Sequence, residues 1–129
     1  MIKKGILNPQ VASLLARVRH TNALVIADRG FPSWPGIETV DLSLVDGIPT
    51  VTQVLNALLP NFSAGKAYMA REFREQNTKA VQKAFAQSLG KVPVAYEPHV
   101  EFKKRVPGAV GLIRTGDTVQ YANVILVSG

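Results

Sequence analysis

The sequence predicts an α/β domain: a single unit with a largely parallel sheet flanked by helices. Short apolar runs alternate along the chain with amphipathic stretches of helical period, the pattern of strands joined by helical crossovers. The length of 129 residues suits one core rather than two. One domain covering 1–129 is therefore expected, and no repeat, linker or low-complexity tract divides it.

Asn8 and Pro9 make a helix-start pair, with a capping amide followed by a proline whose missing N–H costs little at the first helical position. Val11, Leu14, Leu15 and Val18 then repeat on one helix face, which brings His20 to the head of the first strand. Ala23 to Ala27 reads as a short buried strand, bounded by polar residues and then by Gly30 and Pro32. The loop Arg29 to Gly36 is rich in Gly and Pro and carries the only tryptophan, Trp34, expected to pack on its own loop. Thr39 to Leu44 alternates as a strand, and Gly47 and Pro49 mark a turn. Val51, Val54, Leu55, Leu58 and Leu59 fit a second amphipathic helix that Pro60 ends.

Ala67 to Phe73 is read as a strand, and Asn77 as the cap of a helix from Thr78 to Leu89. In that helix Ala80, Val81, Ala84 and Phe85 form the expected buried stripe, and Gly90 supplies the stop. Val92 to Tyr96 is strand-like, and Pro98 opens a short helix on which His99 and Lys103 share one side. Ala109 to Ile113 and Tyr121 to Val127 complete the strands, separated by the polar turn Arg114 to Asp117.

Composition removes several classes of function. Cysteine is absent, which excludes disulfides, thiolate metal sites and cysteine nucleophiles and suits an intracellular enzyme. With two histidines, a protein-borne zinc site lacks its usual three or four ligands. No stretch approaches the ~20 continuous apolar residues of a membrane span, and no signal-peptide core follows Lys3 and Lys4. The formal charge of +6 raises nucleic-acid binding, but the basic residues are scattered and the densest run, Lys103 to Arg105, reads as a solvated face. Gly65-Lys66 lacks the rest of a phosphate loop, and neither a nucleophile elbow nor a dinucleotide fingerprint occurs.

The stretch HTNALVIADRGFP, His20 to Pro32, concentrates what remains. It sets a histidine and an aspartate at the two ends of one strand, and Asp28 lies where that strand stops. The crevice at the carboxyl ends of strands is where open α/β sheets bind ligands; the alternative role for Asp28 is to cap its own loop. Proton transfer by His20 or His99, supported by Asp28, Lys103 and the Tyr121 hydroxyl, is the chemistry these residues allow. Imidazole near its ordinary pKa of ~6.5 both gives and takes a proton at neutral pH.

Five segments, KKGILNPQVASLLARVRHT, VIADRGFP, DLSLVDGIPT, HVEFK and AVGLIRTGDTVQYANVILVSG, occur in an order and spacing that resembles the RbsD/FucU family of sugar mutarotases nearly end to end. The resemblance implies an RbsD-like α/β fold in a ring-shaped homo-oligomer, a decamer, whose pockets lie where neighbouring subunits meet. It further implies a cytoplasmic enzyme that interconverts the pyranose and furanose forms of ribose without metal or cofactor. His20 would be the acid/base residue with Asp28 beside it, while Asp28, His99, Lys103, Tyr121, Ala122 and Asn123 would line the sugar pocket. Alanine at position 122 favours the ribose branch, the fucose branch more often having glycine there. Arg29, Phe31, the loop Ser33 to Gly36 and the stop at Gly129 depart from the familiar pattern. The competing expectations are a mutarotase for fucose or another sugar, and a non-catalytic sugar-binding accessory protein of a sugar uptake system.

Overall fold

A computed structural model describes all residues, Met1–Gly129. Its six strands are β1 (Ala23–Ala27), β2 (Glu38–Asp41), β3 (Ala64–Ala70), β4 (Val94–Glu97), β5 (Gly111–Arg114) and β6 (Val124–Ser128). They form one sheet in the order β2-β5-β1-β6-β3-β4. Every pairing is parallel except the two made by β6, which runs against both β1 and β3. The expected largely parallel sheet is present, with one reversed strand at its middle.

Alternation along the central strands divides the core between two faces. Leu24 and Ile26 of β1, Ile113 of β5, and Val124 and Leu126 of β6 face the larger cluster, while Val25, Ala27, Leu112 and Ile125 face the smaller one. The larger face is covered by α1 (Pro9–Arg17), α2 (Val51–Leu58), α3 (Arg71–Gln76) and α4 (Lys79–Leu89). The smaller face is covered by α5 (His99–Arg105), whose Phe102 is fully buried, and by the turn that follows it at Val106.

Helix α1 starts as its sequence demands, with the Asn8 side chain accepting the Val11 N–H at 2.9 Å. Helix α2 begins with a capping box between Thr50 and Gln53. Gly90, at φ 59°, stops α4.

Several boundaries differ from the sequence reading. The second strand is Glu38–Asp41 rather than Thr39 to Leu44. Pro60 sits inside a 3₁₀ turn, Leu59–Asn61, that prolongs α2. Strand β3 ends at Ala70, and Arg71–Gln76 is a helix, because Phe73 turns inward onto Phe85 at 4.7 Å between ring centroids. Thr78, not Asn77, caps α4; Asn77 closes α3, its side-chain amide donating to the Phe73 carbonyl and to the Gln120 carbonyl. The buried stripe of α4 is Phe85 and Leu89, while Ala80 and Ala84 are exposed. Tyr121, Ala122 and Asn123 precede β6 rather than opening it.

The polar turn after β5 is buried. Thr115 is 0% and Asp117 3% exposed. The Asp117 carboxylate accepts the Val51 N–H at the start of α2 and the Val119 N–H, both at 2.8 Å, so it satisfies one of the orphan donors of that helix. The Thr115 hydroxyl donates to the Ala27 carbonyl at 2.8 Å. Gly116 has no room for a side chain, since a Cβ there would meet the Val45 and Ile48 carbonyl oxygens at 2.4 and 2.6 Å. One tight turn thus joins β1, α2 and the 45–49 loop.

Replacing Asp117 by Ala strands the buried Val51 N–H and the part-buried Val119 N–H, and we expect a loss of about 3 kcal/mol of stability. Urea unfolding of Asp117→Ala against the parent protein measures it, and a loss within error of zero would contradict the role given to this carboxylate.

Candidate active site

Because β6 is reversed, its first residue lies at the same edge of the sheet as the last residues of β1, β3 and β4. Asp28 follows β1, Glu72 follows β3, His99 follows β4, and Tyr121 to Asn123 lead into β6. Four separate stretches of sequence therefore deliver polar side chains to one rim, the carboxyl edge at which α/β sheets bind ligands. A cavity of ≈ 320 Å³ opens there, lined by Asp28, Gly30, Phe31, Pro32, His99, Gln120, Tyr121 and Asn123. That is enough room for a small polar molecule.

Asp28 is held through both its backbone and its side chain. Its N–H donates to the Asn123 side-chain oxygen at 2.8 Å, and one carboxylate oxygen accepts the Gly30 N–H at 3.0 Å. Burial pushes its carboxyl above the ordinary value of 3.8, against the opposing hydrogen bonds from Gly30, Asn123 and Phe31; the Asp117 charge adds to the rise. No cation neutralises it: Arg29, next in the chain, turns away to pair with Asp46 at 2.7 Å.

His99 is the first residue of α5, and its backbone N–H donates to both Glu72 oxygens at 3.1 Å. Its ring is boxed by aromatics, stacked on Phe102 at 5.9 Å and edge-on to Tyr121 at 5.1 Å and Phe31 at 6.4 Å. Burial holds the imidazole below its ordinary value of 6.5, and the Lys103 ammonium pushes the same way, against Glu72 and Asp28. Tyr121 adopts φ 55°, in the left-handed region that a bulky side chain seldom occupies. The Asn77 bond to the neighbouring Gln120 carbonyl, at 2.9 Å, helps fix this loop.

The far wall is the loop after β1. Arg114, 12% exposed in its side chain, gives two hydrogen bonds to the Phe31 carbonyl, one to the Ser33 hydroxyl and one to Asp41. This guanidinium fixes Phe31 against His99, and Trp34 stacks on Phe31 at 5.4 Å.

Of the residues singled out in the sequence, Asp28, His99, Tyr121 and Asn123 meet at this cavity. Ala122 is adjacent but fully buried in the core. Lys103 is one turn from His99 and not on the wall. His20 is elsewhere. It is exposed and precedes β1, whereas Asp28 follows it, so the five residues of the strand separate them, roughly 16 Å of extended chain. The expectation that this imidazole and Asp28 share one hollow is not met within a single chain, because a strand carries its two ends to opposite edges of the sheet.

Glu72, Arg114 and Gln120 belong to the surroundings of the site and were not singled out in the sequence, where nothing marks a carboxylate in an unexpected helix or a strand-end arginine. A larger hollow of ≈ 570 Å³ between α1 and β2 contains none of the predicted residues, and the Arg17–Glu38 ion pair lies across it. No three His, Asp or Glu side chains converge as a metal-binding set, and no helix is long and apolar enough to cross a membrane.

A family model, the RbsD / FucU transport protein family, matches residues 1–129. The chain is 43% identical to a D-ribose pyranase of Chromobacterium violaceum and 40% identical to one of Laribacter hongkongensis. Each match spans all of this chain and 98% of the relative. Among solved structures, Bacillus subtilis RbsD complexed with D-ribose superposes with a TM-score of 0.93 at 36% identity, covering 100% of this chain and 98% of that one. The fucose mutarotase of Streptococcus pneumoniae, solved with L-fucose, shares the fold with a TM-score of 0.83 at 20% identity, over 99% of this chain and 98% of that one.

Since burial raises the Asp28 carboxyl, the folded state disfavours its charge, and Asp28→Asn should stabilise the protein. The sign follows from linkage: the gain is full above the folded pKa, shrinks as pH falls, and vanishes below the ordinary value of 3.8. Asparagine can still accept the Gly30 N–H. Thermal melts of both proteins at neutral and acid pH test this; a lower melting temperature for the variant at neutral pH would refute it.

Proposed function

We propose that this chain, which belongs to the RbsD/FucU family, has the activity of a D-ribose pyranase, an isomerase interconverting the pyranose and furanose forms of D-ribose. The convergence of Asp28, His99, Tyr121 and Asn123 on one cavity of ≈ 320 Å³ carries the reading of where the sugar binds. The whole-length likeness to D-ribose pyranases carries the reading of which sugar. The alanine at position 122 agrees with it.

The reaction opens and recloses a hemiacetal. A base takes the proton of the anomeric hydroxyl, the C1–O bond to the ring oxygen breaks, and that oxygen gains a proton, leaving an open-chain aldehyde. Reclosure through the C4 hydroxyl gives the furanose and through the C5 hydroxyl the pyranose, with the proton movements reversed. No electron changes hands, so the chemistry asks only for positioned proton donors and acceptors and for a confined chain that rotates before closing.

In this reading His20 exchanges the protons and Asp28 orients the sugar or the imidazole. Burial raises the Asp28 carboxyl above its ordinary value, which strengthens it as a proton acceptor from a sugar hydroxyl. His99, Tyr121 and Asn123 bind the remaining oxygens, Lys103 bears on the pocket through its charge beside His99, and Ala122 fixes the backbone between its neighbours. His20 cannot reach Asp28 of its own chain, so a neighbouring copy supplies it, and the enzyme works in the cytoplasm as a ring-shaped homo-oligomer, the decamer implied by the resemblance. Head-to-tail contact that joins one copy's leading edge of β1 to another's trailing edge is the kind that closes into rings.

His20→Ala is expected to slow ribose ring-form exchange, followed by saturation-transfer NMR, by ~10²–10⁴-fold; an unchanged rate would remove His20 from the chemistry. Mixing inactive His20→Ala subunits with inactive Asp28→Asn subunits should restore about a quarter of full activity, since random assembly rebuilds one site in four from two intact halves. No recovery after verified subunit exchange would mean that the two residues do not act across an interface.

A further inference from the structure

His99 is one of two histidines in the chain, and its ring presents its two nitrogens to different surroundings. Nδ1 is the one buried side-chain nitrogen or oxygen in the protein without a hydrogen-bond partner. Nε2 is not buried in this way, and His99 lines the cavity, so Nε2 is the nitrogen open to a ligand. The carboxylate beside the ring does not serve Nδ1, since Glu72 gives both oxygens to the backbone N–H of His99 itself.

A proton on Nδ1 would be a desolvated donor with no acceptor, which native interiors avoid. Both the Nδ1–H tautomer and the imidazolium carry that proton; the Nε2–H tautomer does not. The surroundings act in the same sense. Phe31 and Phe102 offer the ring no charge, the ammonium of Lys103 on α5 opposes a second cation, and of the groups facing it from other elements only Glu72 and Asp28 favour one, with the Tyr121 ring edge-on to the imidazole.

We propose that His99 works as a fixed neutral hydrogen-bond donor, its proton on Nε2, toward the sugar oxygen that gains negative charge as the ring opens, and that it moves no protons itself. This rests on the reading of the cavity as the sugar site. A neutral imidazole that donates without ionising polarises a carbonyl or steadies an alkoxide without quenching the general base nearby. It divides the labour between the two histidines, leaving proton exchange to the other.

The test needs no sugar at its first step. Long-range proton–nitrogen NMR of uniformly ¹⁵N-labelled protein, with His20→Asn to assign the two rings, should show His99 as the Nε2–H tautomer and still mainly neutral at pH 6.5, the ordinary imidazole value. An Nδ1–H tautomer, or a ring mostly charged at that pH, overturns the proposal. In turnover, His99→Gln retains an N–H donor and should fall by only about tenfold with its pH profile unmoved, while His99→Leu should fall by about a hundredfold or more. Equal losses in the two variants, or a shifted acid limb in His99→Gln, would make His99 a proton exchanger and overturn it as well. Should the parent protein fail to exchange ribose ring forms at all, the reading of the site fails, while the tautomer remains decided by the sugar-free spectrum.

Discussion

Asp28 and Asn123 meet because the last strand enters the sheet backwards. Were β6 parallel to its neighbours, the Tyr121–Asn123 segment would lie at the opposite edge, and the 2.8 Å bond from the Asp28 N–H to the Asn123 side chain could not form. β6 also lies between β1 and β3, so that polar residues from both halves of the sheet converge on one rim. The buried turn around Thr115, Gly116 and Asp117 then locks the end of β1 to α2, keeping the aspartate at a fixed distance from the loops opposite.

The same half-buried rim acts on two ionisable groups in opposite directions. Burial raises the carboxyl of Asp28 and lowers the imidazole of His99, and in each case it disfavours the charged form. For the uncharged sugar of the proposed function, that bias matters because the cavity keeps hydrogen-bonding groups while opposing charge on both of them. Arg29 fits the pattern by leaving the cavity for Asp46, despite following Asp28 directly in the chain.

Much of this was legible in the sequence. The Asn8-Pro9 start, the Ala23–Ala27 strand ending at Asp28, the helix opened by Pro98 and the stop at Gly90 all depend on local chemistry, and local chemistry is what a single sequence displays. What was missed depends on partners distant in the chain. Arg71–Gln76 is a helix because Phe73 finds Phe85, and the polar turn at Thr115 to Asp117 is buried because α2 needs a carboxylate at its start. The strand direction of β6, which unites the site, leaves no periodic trace at all. Asp28, His99, Tyr121 and Asn123 were anticipated as site residues, but that they meet without His20 follows only from the course of the strands.

The stack of Trp34 on Phe31 has a practical side. The lone indole stacks on Phe31, a residue of the cavity wall, on a loop that Arg114 holds at its base. The molecule thus carries its own fluorophore, uncontaminated by any second tryptophan, in direct contact with a residue of the cavity wall.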